Sequence, residues 1–86
     1  MKRLFSEQAW EDYQHWMATD KKVAKRINQL IRDTARDPIR GIGKPEPLRH
    51  LLKGYWSRRI NEEHRMVYRV KEGVLMLAQL RHHYKN

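Results

Sequence analysis

The sequence predicts an α+β domain, in which an opening strand and a helical hairpin pack on an antiparallel sheet. Apolar side chains recur at helical spacing from Trp10 to Met17 and again from Val23 to Thr34. After residue 54 the pattern changes to short strand-like runs, separated by Asn61-Glu62-Glu63 and by Lys71-Glu72-Gly73. Helices grouped ahead of strands are the α+β order. At 86 residues and 40% hydrophobic content, the chain makes one domain with a modest core. A chain of this size buries roughly 60–65% of its unfolded surface, enough for one layer of helices on one sheet.

Lys2 to Phe5 forms the opening strand. Ser6 is an N-cap, and Glu7 and Glu11 suit the positive end of the helix that follows. Trp10, Tyr13 and Met17, with Trp16 beside them, mark a face that is either core or a partner surface. The helix stops near Thr19, and Asp20 caps a second one. Val23, Ile27, Leu30, Ile31 and Thr34 form its apolar stripe, and Asp37-Pro38 ends it. Gly41 to Pro47 is a loop running into an extended segment. Tyr55–Ile60 and His64–Val70 are strands. Val74–Leu80, almost wholly apolar, is expected to be a central strand covered on both faces and to continue into Arg81-His82-His83-Tyr84.

Charge and composition narrow the function classes. The chain carries 19 Lys and Arg against 10 Asp and Glu, for a net charge of +9. Residues 44–86 hold ten basic and four acidic side chains, residues 1–43 nine and six. Such a field attracts polyanions. The absence of cysteine removes disulfides, Cys-type zinc sites and thiol nucleophiles. No secretory signal, membrane span or long membrane-binding amphipathic helix is read, so a cytoplasmic protein without a membrane partner is expected.

Pro45-Glu46-Pro47 fixes one carboxylate on stiff, extended backbone. A carboxylate can take the proton of an RNA 2′-hydroxyl. Read alone, Glu46 is first a surface carboxylate paired with Lys44 or Arg49. Arg65 can stabilise charge on a phosphorane, although pairing with Glu62 or Glu63 is the simpler reading. Alternation places Arg65, Val67 and Arg69 on one strand face and His64, Met66, Tyr68 and Val70 on the other. His83 can protonate a leaving oxygen, although for either His82 or His83 a solvated or core ring near the chain end is the simpler reading. Adjacent histidines on a strand point apart, so neither a metal nor a cofactor is expected. Tyr55, Trp56, Tyr68 and Tyr84 interleave with Lys53, Arg58, Arg59, Arg69 and Arg81, a pattern of base stacking and phosphate holding that also fits core aromatics, Trp56 above all.

The runs Lys44-Pro45-Glu46-Pro47-Leu48, Tyr55-Trp56-Ser57-Arg58-Arg59-Ile60, Glu62-Glu63-His64-Arg65-Met66-Val67-Tyr68 and His83-Tyr84 resemble the Txe/YoeB family of bacterial toxins, within the RelE-like superfamily. The resemblance extends over Ser6-Glu7 and Trp10-Glu11-Asp12-Tyr13, and so over essentially the whole chain. It implies a compact RelE-like fold and a metal-independent endoribonuclease that cuts mRNA in the A site of the bacterial 70S ribosome. It further implies homodimers, a neutralising antitoxin of the YefM type, and a toxin–antitoxin complex that binds its own operator DNA. By matching position, Glu46 is the general base, Arg65 the phosphate stabiliser and His83 the general acid. Tyr84 assists, and Lys44, Arg49, Arg59 and His82 contact RNA. Arg49 stands where relatives often carry Lys, His82 where Tyr is common, and Lys85-Asn86 extends the chain past Tyr84. Three rivals are an A-site blocker that does not cut, a gyrase-directed toxin like the ParE branch, and a plain nucleic-acid-binding module.

Overall fold

The structure, a computed structural model, describes residues 1–84. Strand β1 (Lys2–Phe5) leads into helices α1 (Glu7–Thr19) and α2 (Lys21–Arg36). Strands β2 (Glu46–Pro47), β3 (Trp56–Arg59), β4 (Arg65–Lys71) and β5 (Val74–Gln79) follow, with a 3₁₀ turn at His50–Leu52 that the sequence did not announce. The sheet order is β1-β5-β4-β3-β2. Strands β3 to β5 form the expected antiparallel meander, the extended segment at Glu46 adds β2 antiparallel to β3, and β1 adds a parallel pairing with β5 that makes the sheet mixed.

The hairpin turn is set by its caps. Ser6 Oγ accepts the Ala9 N–H at 3.0 Å, and Asp20 Oδ1 accepts those of Lys22 and Val23. Each satisfies donors that a helix start leaves open. Ile27, Leu30, Ile31 and Thr34 are buried on α2, as the stripe predicts. On α1 the face divides: Trp16 is core, whereas Trp10 and Met17 are about half exposed. Phe5, Trp10 and Tyr13 form an aromatic cluster at centroid distances of 5.5–5.9 Å, open to solvent on one side.

Both helices lie on one sheet face, where Met66, Tyr68, Leu75, Leu77 and Leu80 meet Ala9, Trp16, Ile27 and Leu30. Strand β5 is paired on both edges, but only its Leu75 and Leu77 side is fully covered; Val74, Met76 and Ala78 on the other side are half-buried. The expectation of burial on both faces is corrected accordingly. A β-bulge explains how Leu77 and Leu80 both reach the core. Val67 pairs with Gln79 and Tyr68 with Leu77, leaving Ala78 as the extra residue. Its carbonyl is not wasted, because the Ser6 hydroxyl donates to it at 2.8 Å. Beyond Gln79 the chain leaves the sheet, so His82 and His83 do not alternate on a strand.

Arg58 is the main surprise. The sequence pattern groups it with phosphate-holding cations, yet it is fully buried. All five of its N–H donors are used. Nε donates to the Tyr68 hydroxyl, Nη1 to Asp33 Oδ2 at 2.7 Å and to the Ile42 carbonyl, and Nη2 to the Asp37 and Arg40 carbonyls. The Tyr68 hydroxyl donates in turn to the Pro38 carbonyl at 2.6 Å. Tyr68 is therefore core, not a base-stacking platform, and burial pushes its phenol up from the ordinary value. The Ile42 N–H, followed by the Arg58 and Arg36 guanidiniums, holds the Asp33 carboxyl below the usual carboxylate range. Gly41 is required by this close approach. Its φ is +127°, and a Cβ there would lie 2.0 Å from Asp33 Oδ2.

Candidate active site

Glu46 sits at the end of the loop that Arg58 organises. The Arg59 N–H donates to the Gly43 carbonyl at 2.6 Å, and β2 then pairs Glu46 with Ser57. Cross-strand partners share a face, so register locates the side chains. Trp56, Arg58, Met66 and Tyr68 point toward the helices. Glu46, Ser57, Arg59, Arg65 and Val67 therefore share the opposite face. Glu46 and Arg59 are exposed and Arg65 is half-buried. Among the described residues Glu46 forms no ion pair, so the expected pairing with Lys44 or Arg49 is not made.

Arg65 lies opposite Arg59 in the ladder. Its Nη1 donates to the carbonyls of Asn61, Glu62 and His64 at 2.7, 3.1 and 3.2 Å. The simple reading, a pair with the Glu62 or Glu63 carboxylate, is replaced by contacts to the turn backbone. The guanidinium is thereby oriented without losing its charge to a counter-ion. Asn61 Oδ1 shapes that turn by accepting the Glu63 and His64 N–H groups.

Residues 80–84 cross toward this face, held by side chains whose role the sequence did not reveal. Asp12 Oδ2 accepts the Leu80 N–H at 3.0 Å, and Trp16 Nε1 donates to the Leu80 carbonyl at 2.8 Å. Helix α1 thus grips both polar groups of one peptide residue. His82 turns the chain at φ 65°, a left-handed conformation uncommon outside glycine. Tyr84 then reaches Glu46, its hydroxyl donating to Oε1 at 3.2 Å. His83 is exposed, with its ring 4.8 Å from that of Tyr84.

The structure thus brings Glu46 and Tyr84 into direct contact, with His83 adjacent in sequence and Arg59 and Arg65 on the same sheet face. Lys44 (φ 52°) and Arg49 are exposed on the segments flanking Glu46, and neither side chain bonds to it among the described residues. His82 is exposed, its ring 5.7 Å from that of His64. Of the interleaved aromatics, Trp56 packs against the core, and Tyr55 lies under Arg69 at 5.2 Å. The Lys85-Asn86 extension lies outside the described residues. Among the described residues, no three His, Cys, Asp or Glu side chains gather as a metal site. No helix among them is long and apolar enough to cross a membrane.

Residues 5–84 match the family model described as the YoeB-like toxin of bacterial type II toxin-antitoxin systems. The chain belongs to that family. It is 56% identical to toxin YoeB of Escherichia coli K12 over 84 residues, covering 98% of this chain and all of that one. A YoeB/ParE toxin from Agrobacterium tumefaciens superposes with a TM-score of 0.94 at 48% identity, over 98% of this chain and all of that one. Staphylococcus aureus YoeB, solved as a dimer and in a YoeB–YefM complex, superposes with TM-scores of 0.91 and 0.90 at 46% and 45% identity, over 98% of each chain. The protein is a type II toxin of the YoeB/RelE type, and the RelE-like fold expected from its motifs is the one observed.

Proposed function

We propose that this YoeB-family toxin is a metal-independent endoribonuclease that cuts mRNA in the ribosomal A site and so stops translation. The observation that carries the reading is the Tyr84–Glu46 hydrogen bond, which ties the segment bearing His83 to the carboxylate on the sheet face of Arg59 and Arg65. Two strand spacings, about 10 Å, separate β2 from β4. A phosphodiester fits between side chains reaching inward from each. Glu46 takes the 2′-hydroxyl proton, and the 2′-oxygen attacks phosphorus. Arg65 stabilises the charge on the phosphorane, and His83 gives its proton to the departing 5′-oxygen. The products are a 2′,3′-cyclic phosphate and a 5′-hydroxyl end. Tyr84 orients the base, while Lys44, Arg49, Arg59 and His82 hold the neighbouring RNA.

The +9 charge supports docking on ribosomal RNA, with binding that weakens steeply as salt rises. The dimer and the YefM complex solved for the S. aureus relative support a homodimer and a YefM-type antitoxin here. The exposed Trp10 and Met17 beside Tyr13 offer an apolar face for the second copy. An acidic antitoxin segment would cover the basic face, in a complex that binds its own operator DNA. A bacterial cytoplasm is the place where all these partners meet.

The test is translation of a defined mRNA with purified toxin and 70S ribosomes, mapping RNA ends at nucleotide resolution. A new cyclic-phosphate end that persists in EDTA is expected. A message with a 2′-deoxynucleotide at the scissile position should stay intact, because it lacks the nucleophile. Cleavage of that message, or translation arrest with no new end, would overturn the mechanism, and the latter would install the non-cutting A-site blocker.

A further inference from the structure

His64 is buried immediately before β4, one residue ahead of Arg65, and nothing in the proposed chemistry uses it. Its Nδ1 accepts the backbone N–H of His82 at 2.7 Å. The reciprocal bond runs from the Arg65 N–H to the His82 carbonyl at 3.0 Å. An N–H donor facing Nδ1 leaves that nitrogen no proton of its own, so the ring is neutral with its hydrogen on Nε2. This pair of bonds joins the segment bearing His83 and Tyr84 to the strand bearing Arg65. It also holds His82 in its left-handed turn, a conformation that persists only where surrounding contacts fix it.

The geometry points to His64 as a positioning residue, a proton-sensitive latch whose unprotonated Nδ1 sets the His83–Tyr84 segment against Glu46 and Arg65. The inference rests on the ribonuclease reading of the site. A proton on Nδ1 replaces the acceptor with a second donor aimed at the His82 N–H. The His82 turn then loses its partner, and the segment loses its register on the sheet face. Leu80 remains held by Asp12 and Trp16, so the core stays intact and only the residues beyond it are released.

The surroundings favour the neutral ring. Burial holds the His64 imidazole below its ordinary value of 6.5, opposed by Glu63, whose Oε1 lies 3.6 Å from Nε2, and assisted by His82, Arg81 and His15. From α1, Trp16 packs edge-on at 4.8 Å, and the His15 ring meets Trp16 at 4.8 Å. The Asp12 carboxylate is committed to Gln8 and Leu80. Because the folded-state value is depressed, the unfolded chain takes up this proton first as pH falls. The latch's contribution is therefore full above about pH 6.5 and is lost as pH drops through the lower folded-state value.

The experiment has two arms. In the first, single-turnover cleavage is followed from pH 5 to 8.5 for wild type, His64→Asn and His64→Leu. Asn places a carbonyl oxygen where Nδ1 stands and does not titrate. It should keep the rate within about tenfold of wild type at pH 7.5 and move the acid limb to lower pH. Leu should lose on the order of 100-fold in kcat with KM little changed. Equal rates and equal acid limbs in all three would overturn the latch. The second arm needs no activity: in isotope-labelled wild-type toxin, the ring nitrogens of His64 and the amides of His82 to Tyr84 are titrated by NMR. An unprotonated Nδ1 at neutral pH, with the His82–Tyr84 signals moving at the His64 midpoint, is expected. A protonated Nδ1 at neutral pH, or signals indifferent to the ring, would overturn the latch. If wild type cuts no RNA, the ribonuclease reading fails, and this arm still decides the latch.

Discussion

Replacing Glu46 with alanine is expected to lower ribosome-dependent cleavage by about 10²–10⁴-fold, the usual worth of a positioned general base. The side chain is exposed, and among the described residues its side-chain partner is the Tyr84 hydroxyl. Surface substitutions of this kind change stability by no more than about 0.5 kcal/mol, so the variant should melt with wild type. Glu46→Gln keeps the shape and removes the base, and should fall equally far. Tyr84→Phe removes only the donor to Oε1 and should cost less than either. The readout is the single-turnover rate at saturating programmed ribosomes, beside a melting curve. If Glu46→Gln arrests translation as well as wild type does, the protein blocks the A site without needing a base there.

Arg58→Met should be the most destabilising single change on the sheet. Removing one partner of a buried ion pair costs about 3–5 kcal/mol, because the polar groups left behind lose both charge complement and water. Here those groups are the Asp33 carboxylate, the Tyr68 hydroxyl and the carbonyls of Asp37, Arg40 and Ile42. For a domain of this size, that loss corresponds to a fall in Tm of more than about 10 °C. Asp33 retains a little solvent and a second arginine, Arg36, which places the cost toward the lower end. Thermal melts of Arg58→Met, Asp33→Leu and the double variant would measure the pair. The double variant should be more stable than the sum of the single losses predicts. Wild-type stability in Arg58→Met would show that the loop between α2 and β2 is held by something else. Arg58→Lys should not rescue, since an ammonium cannot reach five acceptors in one plane.

Local rules made much of this fold readable. Ser6 and Asp20 are caps because their short side chains reach open N–H groups, and the α2 stripe is periodic because one face is buried. Pro45 and Pro47 announce extended backbone around Glu46, where β2 forms. Non-local features were hidden. The apolar run Val74–Leu80 gives no sign that Ala78 is a bulge, because a residue-by-residue pattern cannot register which partner is skipped. Nor does it show where pairing ends, so His82 and His83 read as strand although His82 itself makes a left-handed turn. Arg58 and Arg59 look equivalent as neighbours, yet one is fully buried and the other lies in solvent. Only the register with β4 and the position of Asp33 separate them. Residue chemistry offers Glu46, Arg65 and His83 as base, charge stabiliser and acid, but singly each reads first as a surface pair or an ordinary ring; the resemblance decides between the readings. Geometry adds the Tyr84–Glu46 contact and the turn carbonyls that orient Arg65.

The parallel pairing of β1 with β5 has a consequence for how the molecule is made. Residues 2–5 pair with residues 74–77, so the first strand synthesised waits for the last one. Contacts of such sequence separation form late, after the loop between them has been closed. A chain still threaded through the ribosome's exit tunnel at residue 70 has its helical hairpin but no partner for β1 and no Tyr84 to donate to Glu46. Proteolysis of such arrested chains should find the β1 segment open, whereas protection there would mean that the hairpin alone secures it. On the function proposed above, a chain arrested before β5 would therefore lack activity, because β5 and the segment bearing His83 and Tyr84 emerge together.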